Sequence, residues 1–276
     1  MQAIPRLLAA LALLLPALWA TALPAASRED IRHFLEVTGF DVAITSMQQS
    51  AMTGGGIAGD APDAFGRQYA ALAEKVFDPD LMLERTIDIL EAGMPDALLQ
   101  HGLDFYGSDL GQRLVAAENA SHMGDAEAQY AEGQKILEAL SRDNPARIDD
   151  YSAMLEAIGG VESAVRSITE VQVRYLLAAM AAGTVDIEMS EQELRARIKE
   201  QEPQLRQNIA VFTMLDTAYT YRDFSDDDVH AYRQALETPE MRQIYELLNA
   251  VQHEVMAERY EVLAARLAEL TPVQDI

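Results

Sequence analysis

Two histidine–acid pairs in this sequence have spacings that metal sites use. His253 and Glu254 begin the pattern H-E-x-x-H, in which two imidazoles one helical turn apart bind zinc and the glutamate is a general base. The fifth position is Ala257, so the second ligand is missing. Glu118 and His122 would face each other on a helix, but no third ligand is near them in sequence. An ordinary ion pair explains them better, and we predict no metal site.

Four further residues could line a cleft. His101 and His230 lie at nearly corresponding places in the two halves of the chain, so they could converge between them. Such residues are more often polar edges of helices. Phe105 and Tyr106 precede a capped helix, where aromatic side chains more often form the hydrophobic staple and the core. We keep all four as candidate cleft-lining residues and predict no catalytic residue.

Two other clusters resemble ligand sites without completing the pattern. Asp223 and residues 226–228 lack the central glycine and late glutamate of a calcium loop. Acids in the first turn of a helix, where the dipole favours them, explain this cluster. Residues 53–62 are rich in glycine but lack the Gly-Lys-Ser/Thr ending of a phosphate cradle. The sequence therefore predicts no cofactor.

The N-terminal segment has the pattern of a secretion signal. Arg6 supplies positive charge, residues 7–18 are apolar, and Ala20-Thr21-Ala22 offers a small-residue cleavage site. Pro16 interrupts the apolar stretch, which is shorter than the roughly 20 residues of a spanning helix. We expect removal of residues 1–22, leaving a periplasmic or secreted protein without a stable membrane anchor.

Charge and cysteine content narrow the class of partner. The chain of 276 residues has a formal net charge of −24 and contains no cysteine. Its excess of acid repels nucleic acid and anionic lipid head groups, which proteins bind mainly through Lys and Arg. Without cysteine there can be no disulfide, no thiolate metal site and no lipid-modified cysteine. We therefore expect neither nucleic acid nor an anionic membrane as a partner.

Composition and capping signals predict an all-α fold. Good helix formers such as Ala, Leu, Glu and Arg dominate, and runs of β-branched residues are scarce. Capping residues precede helical segments at Asp78-Pro79, Ser108-Asp109 and Thr238-Pro239. Residues 190–193 have the spacing of a capping box. A polar break at residues 142–145 divides the chain near its middle.

Apolar spacing predicts the buried faces of two long helices. Residues 241–270 carry a stripe that predicts a long final helix. A second stripe, on a helix between residues 190 and 220, consists of Leu205, Ile209, Phe212 and Tyr219. We expect both stripes to face the core.

The two halves repeat one order of elements. Residues 34–39 and 154–159 are each an apolar helical segment ending in Gly, and residues 106–110 and 236–240 each contain a Ser or Thr cap before a final helix. An insertion of about ten residues reconciles the two spacings. We predict two related antiparallel helical bundles, residues 28–141 and 146–270, that arose by internal duplication.

The sequence Leu-Asp-Phe-Tyr-Gly-Ser-Asp-Leu-Gly at residues 103–111 resembles the F-Y-x-S-P-x-G signature of the exported helical domain-of-unknown-function family 2059. The Leu-x-x-Thr-Gly pattern at residues 35–39 belongs to the same resemblance, which covers residues 28–141 best. Asp109 stands where Pro is usual, and the second half keeps the cap but replaces the aromatic pair. The resemblance implies a periplasmic, all-helical protein and supplies no catalytic residues.

The sequence contains no catalytic motif, and it predicts a helical chain with an acidic surface. We therefore expect a non-catalytic, exported protein that acts by binding. It would interact with other envelope proteins or hold their apolar segments. Two alternatives stay open. One is a carrier of a small apolar or lipid ligand in a cavity between the repeats. The other is an enzyme with a dispersed site that includes His101 and His230.

Overall fold

A computed structural model of the chain describes residues 26–54, 57–59, 61–185 and 188–270. The predicted signal, residues 1–22, lies outside them. Across these ranges the secondary structure is α-helical and contains no strand, so the prediction of an all-α fold is confirmed. No helix in the described ranges combines the length and apolar character needed to cross a bilayer.

The described chain forms thirteen helices, eight before the polar break and five after it. The first eight are α1 (Arg28–Thr38), α2 (Phe40–Met52), α3 (Ala61–Phe65), α4 (Arg67–Val76), α5 (Pro79–Gly93), α6 (Asp96–Tyr106), α7 (Asp109–His122) and α8 (Ala126–Asp143). The last five are α9 (Pro145–Ala157), α10 (Gly160–Ala182), α11 (Glu191–Thr220), α12 (Asp226–Leu236) and α13 (Pro239–Leu267).

The helices start at the predicted caps. The side chains of Asp78, Ser108 and Thr238 accept hydrogen bonds from the backbone N–H three residues later, at 3.1, 3.1 and 3.3 Å. Ser190 and Glu193 make both bonds of a capping box. Each cap satisfies N–H groups that have no partner inside the helix. Local sequence therefore sets these helix starts.

Helix α13 lies at the centre of the molecule, packed against α10 on one side and against α4, α5 and α6 of the first half. Its predicted stripe is buried at Met241, Ile244, Leu248, Val251 and Val255, and again at Tyr260, Leu263 and Leu267. One continuous apolar core contains Phe34 and Leu90 from the first half together with Tyr151 and Leu263 from the second. The two halves thus share a core.

Corresponding junctions of the two halves have nearly the same backbone geometry. Gly39 and Gly159 both adopt left-handed angles, with φ of 73° and 67°. Gly107 and Glu237, which end α6 and α12, share φ −74° and ψ −9°. Helix α1 packs on α6 as α9 packs on α12. This local equivalence agrees with an internal duplication, which stays a prediction.

The expectation for the α11 stripe is wrong. Phe212 is 46% exposed, and Leu205, Ile209 and Tyr219 are only partly buried. Helix α11 packs along α8 and α10, and the ring of Phe212 contacts Tyr130 of α8 with centroids 4.9 Å apart. Packing against two neighbouring helices buries less of the stripe than packing in the core would, so these side chains remain partly exposed to solvent.

Candidate functional site

Four tyrosines and one carboxylate form a hydrogen-bonded group between the two halves, which we call the tyrosine cluster: Tyr106, Glu118, Tyr221, Tyr232 and Tyr245. The hydroxyls of Tyr221 and Tyr232 donate to Glu118 Oε1 at 2.6 and 2.9 Å. The hydroxyl of Tyr106 lies 3.1 Å from that of Tyr232 and 2.5 Å from that of Tyr245. Since Tyr232 gives its proton to Glu118, it accepts from its neighbours, and the donors converge on one carboxylate.

Local structure explains why these side chains meet. Tyr106 is the last residue of α6, is 2% exposed, and is held by the turn at Gly107. Glu118 lies on the face of α7 that also carries Leu114 and Val115, both buried. Tyr232 and Tyr245 come from α12 and α13, and Tyr221 follows α11. Elements of both halves therefore build the cluster.

Burial dominates the electrostatics of this cluster. It raises the pKa of the Glu118 carboxyl, while the hydrogen bonds from Tyr221 and Tyr232 act in the opposite direction. Burial likewise raises the pKa of Tyr106, Tyr221 and Tyr232 well above 10. The phenols consequently stay protonated, and Glu118 Oε1 is the acceptor for the hydroxyls of Tyr221 and Tyr232.

A small cavity, the inter-half pocket, opens beside the cluster with a volume of about 240 Å³. Helices α2 and α7 line it from the first half, and α9, α11, α12 and α13 line it from the second. Its polar lining includes Glu118, Asp216 and Thr220, and its aromatic lining includes Phe40 and Tyr245. Burial also raises the pKa of Asp216, with an opposing hydrogen bond from Ser121. Two poorly solvated carboxyls therefore face one cavity.

A larger depression, the α10–α11 groove, lies wholly in the second half and has a volume of about 840 Å³. Its lining comes from α9, α10, α11 and α13, and Ile158 is the residue that it shares with the inter-half pocket. Apolar lining is supplied by Ala157, Ile158, Val173, Ile198 and Ala250. A Cβ built on Gly159 would meet nothing within 4 Å, so the groove is open at this turn.

Charged side chains of both signs border the groove. Arg195 pairs with Glu170 at 2.6 Å. Six further charged side chains of the lining make no ion pair with any residue that the structure describes: Arg166, Lys199, Arg242, Glu156, Glu202 and Glu246. Arg242 only donates to the carbonyl of Glu237. The groove thus combines an apolar surface with available donors and acceptors.

The structure does not bring the two candidate histidines together. His101 Nε2 lies 3.4 Å from Thr238 Oγ1, at the start of α13. His230 is exposed and faces Asp150 of α9, with Nδ1 3.4 Å from Oδ1. Neither imidazole lines the groove or the inter-half pocket. Each histidine has its own partner on a neighbouring element.

The two candidate aromatic residues lie behind the inter-half pocket. The ring of Phe105 stacks on Tyr232 with centroids 5.8 Å apart and an interplanar angle of 9°. It also meets Tyr106 edge-on at 5.1 Å. Tyr106 reaches the pocket only through its hydroxyl contacts to Tyr232 and Tyr245. Both residues therefore position the tyrosines that line the pocket.

The other histidine–acid pairs have separate partners. His253 Nδ1 lies 3.1 Å from Ser167 Oγ, while Glu254 pairs with Arg174 at 3.0 Å. Glu118 bonds to tyrosines and makes no ion pair with His122. Across the described part of the chain, no three His, Asp or Glu side chains converge so as to hold a metal ion.

The acidic run at the start of α12 connects helices. Asp226 pairs with Arg147 at 2.7 Å, and Asp228 pairs with Arg113 at 2.9 Å. Arg147 is 8% exposed and also donates to the carbonyls of Tyr221 and Phe224 at 2.7 Å. These acids therefore join α9 and α7 to the α11–α12 turn, in addition to lying at the positive end of the helix dipole.

The signature residues of the first half have structural roles in this arrangement. Ser108 caps α7, and Tyr106 enters the tyrosine cluster. A Cβ on Gly111 would lie 2.4 Å from the carbonyl oxygen of Phe105, so this position needs glycine. Residues 80–142 match the family described as "Uncharacterized protein conserved in bacteria (DUF2059)". The predicted resemblance is confirmed for this segment, which spans α5 to α8.

The match is shorter than the resemblance that the sequence predicts. Residues 35–39 and the whole second half, residues 146–270, lie outside it. No curated protein and no solved structure matches the chain. The DUF2059 segment supplies Tyr106 and Glu118 to the tyrosine cluster, whereas the groove lies entirely outside the segment.

Sequence reasoning missed Asp216, Thr220, Tyr221, Tyr232 and Tyr245. One signal was available for the cluster as a whole. Glu118 follows Leu114 and Val115 at helical spacing, so it places a carboxylate on the apolar face of α7. A carboxylate in that position requires buried hydrogen-bond donors. No spacing rule identified the donors, because they come from three distant elements.

Proposed function

We propose that this protein is exported and acts without catalysis, by binding an extended, partly apolar segment of another envelope protein in the α10–α11 groove. The observation that carries the proposal is the groove itself, about 840 Å³ in volume, with an apolar lining and unpaired charges of both signs at its edges.

The size of the groove supports a ligand of several residues. Binding sites for small ligands usually measure about 300–1,000 Å³, so this groove lies toward the upper end. Val173 and Ile198 belong to a small apolar cluster with Leu194, separate from the main core. An apolar side chain of a ligand would pack against this cluster and gain about 25 cal/mol per Å² of buried surface.

The edges of the groove support a polypeptide rather than a lipid. Lys199 and Arg166 offer N–H donors, and Glu202 and Glu246 offer acceptors. A peptide backbone presents both donors and acceptors along its length, so it can use both sets. A lipid chain would leave the acids without partners.

Export is supported by the N-terminal pattern and by the start of the first helix. The cap of α1 is Ser27, five residues after Ala22. Removal of residues 1–22 would therefore leave the capped helix complete. N-terminal sequencing of the protein from fractionated cells tests this step, and an intact residue 1 in a cytoplasmic fraction would contradict it.

Blocking the groove tests the binding step. Ala250→Trp places a large side chain at an exposed, groove-lining position, and Ala265→Trp makes the same change at an exposed position of α13 outside the groove. The probe is a reduced, alkylated model protein that stays unfolded, titrated by fluorescence anisotropy. We expect saturable binding by the wild type and by Ala265→Trp, and a loss of about tenfold or more in Ala250→Trp.

Absence of binding by the wild type, or equal binding by both tryptophan variants, would contradict the proposal.

A carrier of a small apolar ligand is the second candidate, and the groove, the larger of the two cavities, would hold the ligand. The inter-half pocket, where the sequence placed such a ligand, is about 240 Å³, and its lining combines apolar side chains with the carboxyls of Glu118 and Asp216. Native mass spectrometry of protein purified from its own compartment separates the candidates, because a co-purifying lipid would favour the carrier.

A further inference from the structure

Unpaired cations gather in the α10–α11 groove, although the chain as a whole is acidic. Acids outnumber Lys and Arg by 45 to 21, and most cations in the described ranges pair with a carboxylate. Three cations that line the groove do not: Arg166, Lys199 and Arg242. Elsewhere, the described cations without an ion pair are Arg67, Lys75, Arg142 and Arg197. The excess of acid explains unpaired acids at the groove, but it does not explain unpaired cations.

Arg166 interrupts a series of ion pairs between α10 and α11. Glu162 of α10 pairs with Arg206 of α11, and two turns further along α10 Glu170 pairs with Arg195 at 2.6 Å. Arg166 lies between the two acids on the same face of α10, one turn from each. It lines the groove and makes no ion pair with a described residue. The groove therefore lies where the pairing of these two helices is incomplete.

Lys199 and Arg242 border the groove from α11 and α13, and both are exposed. Lys199 directly follows Ile198, which lines the groove together with Val173. Arg242 donates from Nε to the carbonyl of Glu237 at 3.3 Å, and its two terminal nitrogens bond to no described residue. Three helices thus present cations to one groove, and an apolar surface lies beside one of them.

We propose that the segment bound in the groove is the carboxyl terminus of its protein, with the terminal carboxylate bound by Arg166, Lys199 and Arg242. This inference rests on the binding function proposed above and names the part of the partner that enters the groove. Hydrogen bonds from Arg or Lys to a carboxylate are shorter and stronger than those between neutral groups. Capture of a terminal carboxylate is a recurrent form of peptide recognition.

The charge of the chain favours a terminus over a run of acidic side chains. A formal net charge of −24 repels acidic polypeptides, whereas a terminus brings one carboxylate whatever the composition of the segment. An apolar last residue would pack on Val173 and Ile198, next to Lys199. Glu202 and Glu246 would accept backbone N–H groups of the preceding residues. A simple anion has no such donors and would only be repelled by these acids.

Competition against the reduced, alkylated probe protein at pH 7.5 and constant ionic strength tests the assignment. The competitors are the hexapeptide acetyl-Ser-Ala-Gln-Ala-Val-Leu with a free carboxylate, the same peptide as its amide, and an amide with Asp in place of Gln. We expect the free acid to displace the probe at about tenfold lower concentration than either amide. Sodium acetate, a carboxylate without a peptide, should displace nothing at the same concentrations.

The outcomes separate this inference from the function on which it rests. Binding of the probe protein alone is measured first, and its absence would contradict the proposed function. If the probe binds, equal displacement by the free acid and the simple amide would overturn the terminal assignment and leave the binding function standing. So would a free acid that displaces no probe, or one that acetate or the Asp-containing amide matches.

Variants locate the carboxylate. Arg166→Gln and Lys199→Gln each remove one cation at an exposed, groove-lining position, and Arg197→Gln removes an exposed, unpaired cation of α11 outside the groove. We expect each groove variant to lower the preference for the free acid about threefold or more. Displacement by the amide should not change, because the amide carries no terminal charge. Arg197→Gln should keep the full preference. An unchanged preference in both groove variants, with circular dichroism showing that they are folded, would overturn the assignment.

Discussion

The α6–α7 junction and the α12–α13 junction are built by the same local rules and packed in different ways. In each, a helix ends on a residue with φ −74° and ψ −9°, and a Ser or Thr cap follows directly. Ser108 accepts from Gly111 N at 3.1 Å, and Thr238 accepts from Met241 N at 3.3 Å. Capping thus specifies the same turn twice.

The residue at the third helical position separates the two junctions. At Gly111 a Cβ would lie 2.4 Å from a carbonyl oxygen of the preceding helix. Met241 occupies the corresponding position and is fully buried. Because real Cβ atoms do not approach backbone so closely, the second junction cannot have the same helix contact. The two junctions therefore share a capping pattern but pack differently. At the first junction the helix backbones touch at Gly111, whereas at the second the side chain of Met241 fills the corresponding space.

The first junction also supplies an aromatic pair, and the second does not. Tyr106 enters the tyrosine cluster, whereas Leu236, at the corresponding place, is buried as an apolar residue. The hydroxyls of the cluster bond across the halves, to Tyr232 and Tyr245 of the second half. The first junction therefore contributes to the inter-half contact as well as to its own turn.

Truncating Met241 should have the largest effect. Met241→Ala removes a side chain that is 0% exposed, which leaves a cavity and lowers the free energy of unfolding by about 2–5 kcal/mol. Urea denaturation followed by circular dichroism measures the loss. Met123→Ala, at the 60% exposed end of α7, should change it by less than about 0.5 kcal/mol. Equal losses in the two variants would contradict the burial of Met241.

Adding one methyl group at the first junction should have the next largest effect. Gly111→Ala forces α6 and α7 apart, because the new Cβ meets the backbone of Phe105 and Tyr106. We expect a loss of about 1–3 kcal/mol in the free energy of unfolding. The same measurement on Gly93→Ala, where a Cβ meets nothing within 4 Å, is the control. If Gly111→Ala left the free energy of unfolding unchanged, the two junctions would pack alike.

The two caps should contribute equally. Ser108→Ala and Thr238→Ala each remove one side-chain acceptor at a helix start, at about 1 kcal/mol each. Ser152→Ala, exposed within α9, should have a smaller effect. Thermal and urea unfolding of the three variants test this expectation. A difference of more than about 1 kcal/mol between the two cap variants would show that packing, rather than capping, governs one of the turns.

The smallest effect concerns pH. Burial raises the folded-state pKa of Glu118 above its ordinary value of 4.5, so the folded protein holds this proton more tightly than the unfolded chain does. The contribution of Glu118 is then most favourable below pH 4.5 and declines as pH rises through the raised pKa. Glu118→Gln keeps an acceptor for Tyr221 and Tyr232 but cannot titrate.

We therefore expect the stability of Glu118→Gln, relative to the wild type, to increase as pH rises from 4.5. Denaturation of both proteins across this range measures the difference in stability between them. Glu246→Gln serves as an exposed control. If the stabilities of Glu118→Gln and the wild type changed with pH in parallel, the folded-state pKa of Glu118 would not be raised by burial. The contact between the halves to which Tyr106 of the first junction contributes would then lack a buried carboxyl.

Several features of the fold were predictable from short stretches of sequence. The caps at Ser108 and Thr238, the break before Pro145 and the buried stripe of α13 all follow from residues close together in the chain. The burial expected for the α11 stripe was wrong. Spacing shows that Phe212 shares a face with Leu205, but it does not show how much of that face a neighbouring helix covers. Burial depends on the partner helix, which sequence spacing does not name.

The candidate sites were less predictable. Glu118 was noticed for its spacing from His122, but its partners are Tyr221 and Tyr232, about a hundred residues away. His101 and His230 were considered for their matching positions, yet each bonds to a different neighbour. A pair of residues related by a repeat need not meet, since the halves must first pack in an orientation that brings them together.

By itself, the sequence determined the helical class, the helix starts, the excess of acid and the resemblance of the segment around residues 103–111. These properties depend on propensity, capping and charge, which act within a turn or two of helix or on the chain as a whole. Only the tertiary structure decided that α13 joins both halves in one core, and that Glu118 and Asp216 face a common cavity. Those arrangements depend on which helix faces pack together, a choice made by long-range contacts between side chains.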